Sequence, residues 1–209
     1  MQIIALKKTG KDVHIIFETG EELVIRYDLF VKNGLRKGDN LDDDKIDLIN
    51  RENKIFLAKE RAFNILSKRN NSTGEIKRKL IQRKFDKDTA EFVVIELAAS
   101  GFLNDEQFAK EYVEEKLKLN AVGLNKIRSE LYSKGINKGI IESVLSEKSD
   151  ADEYENAIKL AAKKMNSSVI KNAEAKKRKQ KLYSFLLSKG FDHTTIDMVI
   201  KKIFTGEEE

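Results

Sequence analysis

The most distinctive functional groups in this sequence are lysines and arginines, which are gathered in short blocks. Residues 54–84 hold ten Lys and Arg against two acids, 116–138 hold six against one, and 171–189 hold seven against one. Between the first two blocks, residues 85–115 hold two basic and nine acidic residues. Clustered cations bind phosphate by charge and counterion release, whatever the base sequence. The blocks therefore indicate contact with a phosphate backbone.

The candidate binding residues are basic side chains near three similar helical turns. A single Lys or Arg usually solvates a helix face. The clusters together exceed what solubility requires of a chain that is also rich in acids. We therefore expect them to form a positive stripe that binds the phosphate backbone of DNA. The candidates are Lys77, Arg78, Arg83, Lys84, Lys126, Arg128, Lys134, Lys177, Arg178 and Lys181.

The sequence offers few residues for catalysis. It contains no cysteine and two histidines, His14 and His193, so thiolate and imidazole chemistry have almost nothing to use. It contains no phosphate-binding P-loop, Gly-x-Ser-x-Gly elbow or His-Glu-x-x-His motif. The acids at 42–44 are consecutive, so on a helix they point in different directions and suit its positive N-terminal end better than a cation. We expect no catalytic residue, no cofactor and no metal.

The elements that position the basic blocks follow from hydrophobic periodicity. Over the first 27 residues the apolar side chains alternate with period 2 around two Gly-bearing turns, which predicts three short strands. A loop containing Gly34 and Gly38 follows, and a helix is predicted to begin near residue 42. From there to about residue 206 the pattern is helical, and no proline interrupts it.

The helical part repeats. Residues 80–85, 131–136 and 186–191 align, 51 and then 55 residues apart, each in a helix–turn–helix preceded by another amphipathic helix. Gly135 and Gly190 occupy the turn position that favours a left-handed backbone, whereas the first repeat has Lys84, so its turn should be strained or different. We therefore predict a mainly α protein, with three three-helix bundles in an elongated array behind a small N-terminal β module. The predicted domains are 1–50, 51–103, 104–149 and 150–209.

Base-specific reading by a helix-turn-helix is not expected. The helix after each turn, which would enter the major groove, carries acids such as Asp88 and Glu142 that repel phosphates. The aromatic residues in the basic blocks, Phe63, Tyr132 and Tyr183, stand at nearly apolar helix positions and are predicted to be core rather than base-stacking residues.

The span from about 54 to 206 resembles the RecX family, regulators of the RecA recombinase built of tandem three-helix repeats. The matching motifs are Arg69–Ile76 (Arg-Asn-Asn-Ser-Thr-Gly-Glu-Ile), Gly101–Asp105, Gly123 and Glu130–Ile136. The resemblance implies a non-catalytic protein that acts in DNA repair, the SOS response and homologous recombination. It further implies binding in the groove of RecA–DNA filaments, where the protein restrains ATP hydrolysis, strand exchange and co-protease activity.

Two other functions stay open at this point. The basic stripe alone would also fit a nucleic-acid coating protein without RecA contact, and the acidic blocks would fit a helical interaction scaffold. The N-terminus lacks the apolar run of a signal peptide and no stretch of about 18 apolar residues exists, so we expect a cytoplasmic protein without membrane contact. We expect it to act as a monomer.

Overall fold

The chain begins with a three-stranded sheet and continues as helices. The computed structural model describes residues 1–120, 122–167 and 174–205. Strands β1 (Ile3–Thr9), β2 (Asp12–Phe17) and β3 (Glu22–Arg26) form an antiparallel sheet in the order β1-β2-β3. On β2, Val13, Ile15 and Phe17 are buried while the residues between them are less so. The three-strand prediction is confirmed.

The helices group in threes after one short helix that the sequence pattern did not predict. Helix α1 (Tyr27–Lys32) spans only six residues, too few for a clear period of 3.6. Three groups follow, each with the long helix first and the turn between the second and third. The first consists of α2 (Asp43–Leu66), α3 (Thr73–Gln82) and α4 (Lys87–Ala99). The second consists of α5 (Asp105–Asn120), α6 (Leu124–Ser133) and α7 (Lys138–Ser146), and the third of α8 (Asp150–Met165), α9 (Ala175–Ser188) and α10 (His193–Phe204).

Carboxylate and amide side chains cap the N-termini of several of these helices. Asp42 accepts a hydrogen bond from the Lys45 backbone amide at 2.8 Å, so the helix start predicted near residue 42 is confirmed. Asn104 accepts one from the Gln107 amide at 2.9 Å. Such caps satisfy amides that have no partner within the helix.

Helix α2 belongs to two hydrophobic cores. Its Ile49 packs in the core of the β module, whereas Ala58 and Ala62 pack in the core of the first helical repeat. The side chain of Asn53, which is buried, accepts from the Arg26 amide at 3.1 Å and donates to the Val24 carbonyl at 3.0 Å. These bonds tie β3 to the middle of α2, so one continuous helix connects the sheet to the first repeat.

The predicted apolar stripes of the repeats are buried. Ile76 and Leu80 on α3 have no exposed surface, and neither do the equivalent pairs Ile127/Leu131 on α6 and Leu182/Leu186 on α9. Each pair packs in its own cluster. Because these residues stand one helical turn apart, the intervening positions face solvent and can carry charge.

The turn after the second helix is left-handed in all three repeats. Gly135 has φ +82° and Gly190 φ +88°, as glycine at this position predicts. Lys84 has φ +72° and is the one non-glycine residue with positive φ among the described residues. The prediction of a strained first turn is confirmed, because a side chain in this region costs about 1–2 kcal/mol.

The chain divides into two compact units, and the start of α3 belongs to the second. The first unit comprises Met1–Asn71 and Glu75–Leu103, and the second comprises Ser72–Gly74 and the residues from Asn104 onward. Within the second unit, the Ser72 hydroxyl donates to the Lys134 carbonyl at 2.6 Å. A Cβ added to Gly135 would lie 2.9 Å from the Cα of Gly74, so neither glycine leaves room for a side chain there.

The start of α6 meets the turn of the third repeat in the same way. The Gly123 amide donates to the Lys189 carbonyl at 2.9 Å, and a Cβ on Gly123 would overlap the Gly190 backbone. In both places the first backbone amide of the second helix donates a hydrogen bond to a carboxylate on the first helix of the next repeat. The Thr73 amide of α3 donates to Asp105 at 2.8 Å, and the Leu124 amide of α6 donates to Glu153 at 2.9 Å.

Candidate nucleic-acid interface

The candidate residues of the first repeat lie on α3 and just after it. Lys77 and Arg78 are on the helix, and Arg83 and Lys84 follow its end. Arg78, Arg83 and Lys84 are exposed, whereas Lys77 is partly buried and its ammonium pairs with the carboxylate of Glu91 on α4. One predicted binding cation is therefore engaged within its own repeat.

The second repeat contains the same ion pair. The guanidinium of Arg128 on α6 binds Glu142 on α7 through Nε–Oε1 at 2.9 Å and Nη2–Oε2 at 3.2 Å. Arg128 and Glu142 stand 51 positions after Lys77 and Glu91, the spacing of the repeat. The Arg128 hydrogen bond lowers the pKa of Glu142 below its ordinary value. Part of the alternation of basic and acidic blocks thus serves pairing between neighbouring helices. Exposed pairs of this kind contribute only about 0–1 kcal/mol, so an incoming phosphate can displace the carboxylate.

The other two candidates in the second repeat pack against their surroundings. The Nζ of Lys134 lies 4.9 Å from the ring centre of Tyr112 and 5.7 Å from that of Phe108, close enough for cation–π attraction. The backbone and Cβ of Lys126 lie directly beside Gly190 of the next turn. Both residues therefore have a structural role that the sequence pattern did not reveal.

A partly buried acid lies at the centre of the second repeat. Glu130 accepts from the Tyr112 hydroxyl at 2.6 Å and pairs with Lys116 at 3.1 Å. Burial alone would raise the pKa of Glu130, but these two hydrogen bonds outweigh it and lower that pKa. Burial and the Glu130 bond raise the pKa of Tyr112. The one acid of this basic block is thus a charged, internally neutralised group.

In the third repeat the candidates lie along α9. Lys177 and Lys181 are exposed, and Lys177 pairs with Glu174 at 3.2 Å in the preceding turn. Arg178 is partly buried, with its guanidinium 6.0 Å from the ring centre of Phe204. Lys171, at the start of this basic block, lies outside the described residues.

The structure brings together a group of cations that the candidate set mostly missed. A cleft of about 480 Å³ lies between the end of α2, the loop that follows, and α3. Of the ten candidates only Arg83 lines it. The other lining residues come from the same basic block, residues 54–84. The high number of Lys and Arg in that block could have indicated them, whereas closeness to the turn could not. The lining residues are Arg61, Asn64, Ile65, Lys68, Arg69, Lys79, Gln82 and Arg83.

Two of the cleft cations form hydrogen bonds within the protein. Arg69 donates to the Asn70 carbonyl at 3.2 Å and to the buried carboxylate of Glu75 at 3.3 Å. The Lys79 ammonium donates to the Asn71 side chain at 2.5 Å. These bonds fix where the two charges sit.

The prediction that the aromatic residues of the basic blocks are core residues is wrong for two of three. Phe63 and Tyr132 are 41% and 43% exposed, whereas Tyr183 packs partly buried against the third core. Tyr132 follows the buried Leu131, and the 100° step of the helix turns it away from the core. Phe63 contacts Phe102 edge-on, with ring centres 4.9 Å apart, but Phe102 is itself exposed.

The histidines pair with neighbouring side chains. His14 Nδ1 lies 2.7 Å from a Glu22 carboxylate oxygen across the sheet, and His193 contacts the Tyr183 hydroxyl. Among the described residues, no group of three or more His, Asp or Glu could hold a metal ion. No helix in the described ranges is long and apolar enough to cross a bilayer.

Comparison with known proteins identifies the three helical groups. Residues 58–97, 104–145 and 151–200 match, in order, the first, second and third three-helix domains of RecX. The chain is 32% identical to the regulatory protein RecX of Clostridium perfringens strain 13, over 96% of this chain and 94% of that protein. It is also 32% identical to the regulatory protein RecX of Clostridioides difficile, over 97% of this chain and 94% of the relative.

Two crystal structures share the fold. A structure of regulatory protein RecX superposes with a TM-score of 0.75 at 24% identity, over 95% of this chain and 98% of the other. RecX from Lactobacillus salivarius superposes with a TM-score of 0.64 at 26% identity, over 71% of this chain and 96% of the other. The domain matches cover more than half of the residues and the sequence relatives almost all of them, so the chain belongs to the RecX family.

Proposed function

We propose that this protein regulates RecA by binding RecA–DNA filaments and restraining their ATP hydrolysis, strand exchange and co-protease activity. Membership of the RecX family supports the regulatory role, since the relatives are named regulatory proteins. The observation that carries the proposal is that the second helix of every repeat presents cations beside a buried apolar pair. These are Lys77 and Arg78 on α3, Lys126 and Arg128 on α6, and Lys177 and Lys181 on α9.

Such a surface fits backbone contact rather than base reading. Lys and Arg neutralise phosphates without regard to sequence. The helices after the turns carry Glu91 and Glu142, whose charges repel a second row of phosphates but suit a basic protein surface. The chain would thus contact DNA with one set of helices and the recombinase with the other, as a cytoplasmic monomer.

Restraint of hydrolysis follows from attachment at several points. A ligand that binds one conformation of a filament more tightly than another shifts the population toward the first. Three repeats on one chain raise each other's effective concentration, so the full chain binds far more tightly than one repeat. Clamped subunits would cycle more slowly, and no competing nucleotide site is needed.

The test is the rate of single-stranded-DNA-dependent ATP hydrolysis by RecA as this protein is titrated in. We expect the rate to fall to a low plateau, and the midpoint to be independent of the ATP concentration. A midpoint that rises in proportion to ATP would show nucleotide competition instead, and an unchanged rate at saturating protein would refute the regulatory role.

The second candidate is a nucleic-acid coating protein without RecA contact. It is favoured by the cleft of the first repeat, whose lining contains five cations and no acid. A coating protein would slow RecA only by covering free DNA before filaments form. Adding the protein after filament assembly separates the two functions, because only the filament regulator should still slow hydrolysis.

A further inference from the structure

Three of the five cations that line the cleft of the first repeat have no carboxylate partner among the described residues. Of its five cations, Arg69 is paired with Glu75 and Lys79 is bonded to an amide. Among the described residues no carboxylate forms an ion pair with Arg61, Lys68 or Arg83. Like charges that line one cleft repel one another, so the arrangement costs free energy until an anion enters.

The carboxylate of Glu60, beside the cleft, does not supply that anion. Glu60, which precedes Arg61 on α2, binds Arg26 at 2.6 Å and Lys11 at 3.3 Å. The Arg26 hydrogen bond keeps the pKa of Glu60 below its ordinary value, so its charge is committed to the β module. Arg61 and Arg83 also line a neighbouring cavity of about 420 Å³ that contains Arg26 and Glu60. Glu60 therefore pairs with Arg26 and Lys11 and does not compensate the positive charge of the cleft.

The shape and chemistry of the lining select the anion. Arg61 and Arg83 provide planar forks that bind two phosphate oxygens at once, while Lys68 and Lys79 act as point charges. Asn64 and Gln82 add neutral hydrogen-bonding groups, and Ile65 is the one apolar residue of the lining. No aromatic side chain lines the cleft, so it offers no platform on which a base could stack.

We propose that this cleft is a phosphate-binding site that takes the phosphodiester groups of a nucleic-acid strand, with Arg61 and Arg83 as the principal ligands and Lys68, Arg69 and Lys79 in support. The inference deepens the proposed function and rests on it for the source of the phosphate. Within that function it makes the first repeat the principal DNA contact of the chain, through residues mostly outside the turn.

The experiment measures binding of the full chain to a fluorescently labelled single-stranded oligothymidylate by anisotropy at several salt concentrations. The cleft variant is Arg61→Ala/Arg83→Ala. The matched control is Arg36→Ala/Lys37→Ala, which removes the same charge from exposed positions of the same unit. A third variant, Arg61→Lys/Arg83→Lys, keeps the charge and removes the two-pronged geometry. Circular dichroism and thermal unfolding verify that every variant folds.

We expect the cleft variant to lose about tenfold or more in affinity, because two charge-assisted hydrogen-bonding groups are removed. The slope of log affinity against log salt should become shallower by about 0.7 for each phosphate that the variant no longer neutralises. The lysine variant should bind with intermediate affinity and keep the slope. Equal affinities for the cleft variant and the control would overturn the site, as would a lysine variant indistinguishable from the unmodified protein.

Two further arms identify the phosphate source and separate this inference from the proposed function. Unlabelled oligothymidylate should displace the labelled strand, and ATP at the same phosphate concentration should not; displacement by ATP would overturn the nucleic-acid assignment. RecA hydrolysis is measured with the same variants. Loss of DNA affinity in the cleft variant supports the site even if the unmodified protein leaves RecA unaffected. Unchanged DNA affinity overturns the site even if RecA is inhibited.

Discussion

The left-handed residue Lys84 is exposed, and among the described residues its side chain forms no hydrogen bond or ion pair. We predict that Lys84→Gly raises the free energy of unfolding by about 1 kcal/mol, because relief of the left-handed strain exceeds the entropy that glycine adds to the unfolded chain. Denaturant titration measures the change. Lys84→Ala is the control and should leave stability nearly unchanged, since alanine bears the same strain. A destabilising glycine would show that the lysine side chain stabilises the turn.

Gly135 combines positive φ with close packing, and Gly101 has positive φ alone. A Cβ on Gly101 would meet nothing within 4 Å, whereas one on Gly135 would meet the Cα of Gly74 at 2.9 Å. We predict that Gly101→Ala costs about 1 kcal/mol and Gly135→Ala about 2–4 kcal/mol, because the second adds overpacking to strain. Denaturant titration of both full-length variants measures the difference. Equal costs would mean that Ser72–Gly74 moves away from the turn without penalty.

Glu130 should make stability depend on pH. Its pKa is lower in the folded protein than in the unfolded chain, where it is about 4.3, so its contribution is complete above that value. The contribution is lost as the pH falls through the lower folded pKa. We predict that Glu130→Gln is less stable than the unmodified protein by about 1 kcal/mol at neutral pH. Unfolding titrations should show this difference shrinking below about pH 4. A difference that is constant with pH would mean that the carboxylate charge is not what stabilises the network.

At the scale of the elements, the pairing of neighbouring helices competes with phosphate. Glu91 and Glu142 neutralise Lys77 and Arg128 at equivalent places in two repeats. We predict that Glu91→Gln/Glu142→Gln strengthens binding to single-stranded DNA about two- to fivefold at low salt, because both cations are released. Two substitutions at the exposed Glu114 and Glu115, also to Gln, remove the same charge without releasing a candidate cation and serve as the control. If both double variants gain equally, net charge rather than the released pair explains the effect.

For the whole molecule, the three repeats should contribute together to filament binding. We predict that Lys177→Ala/Lys181→Ala raises the concentration needed for half-maximal inhibition of RecA hydrolysis severalfold, and that combining it with the cleft variant multiplies the two effects. When tethered contacts act independently, the loss of two of them lowers the affinity by the product of the two single effects. The assay is the RecA hydrolysis titration, with Arg36→Ala/Lys37→Ala as control. Unchanged inhibition by the third-repeat variant would confine the filament contact to the first two repeats.

The secondary-structure elements and their threefold repetition could be predicted from the sequence. Strands and helices follow from local periodicity, and the two residues of each buried pair, such as Ile76/Leu80 and Ile127/Leu131, stand one helical turn apart in the chain. The left-handed turns were equally local, because glycine at 135 and 190 has no Cβ to clash, and Lys84 at the same position indicated strain. Family membership followed from short motifs that span the same repeats.

Which of the basic side chains can bind a phosphate depends on the tertiary structure. Lys77, Arg128, Arg61 and Arg83 are all basic residues of the basic blocks, so their residue type does not distinguish them. Lys77 and Arg128 pair with carboxylates on α4 and α7, whereas Arg61 and Arg83 line a cleft that contains no acid. Residues 61 and 83 come together because α2 and α3 pack around a shared core. The periodicity of the sequence predicts each helix but not how the two helices pack. Charge acts through distance in space, so the sequence located the basic block and the fold selected the residues within it.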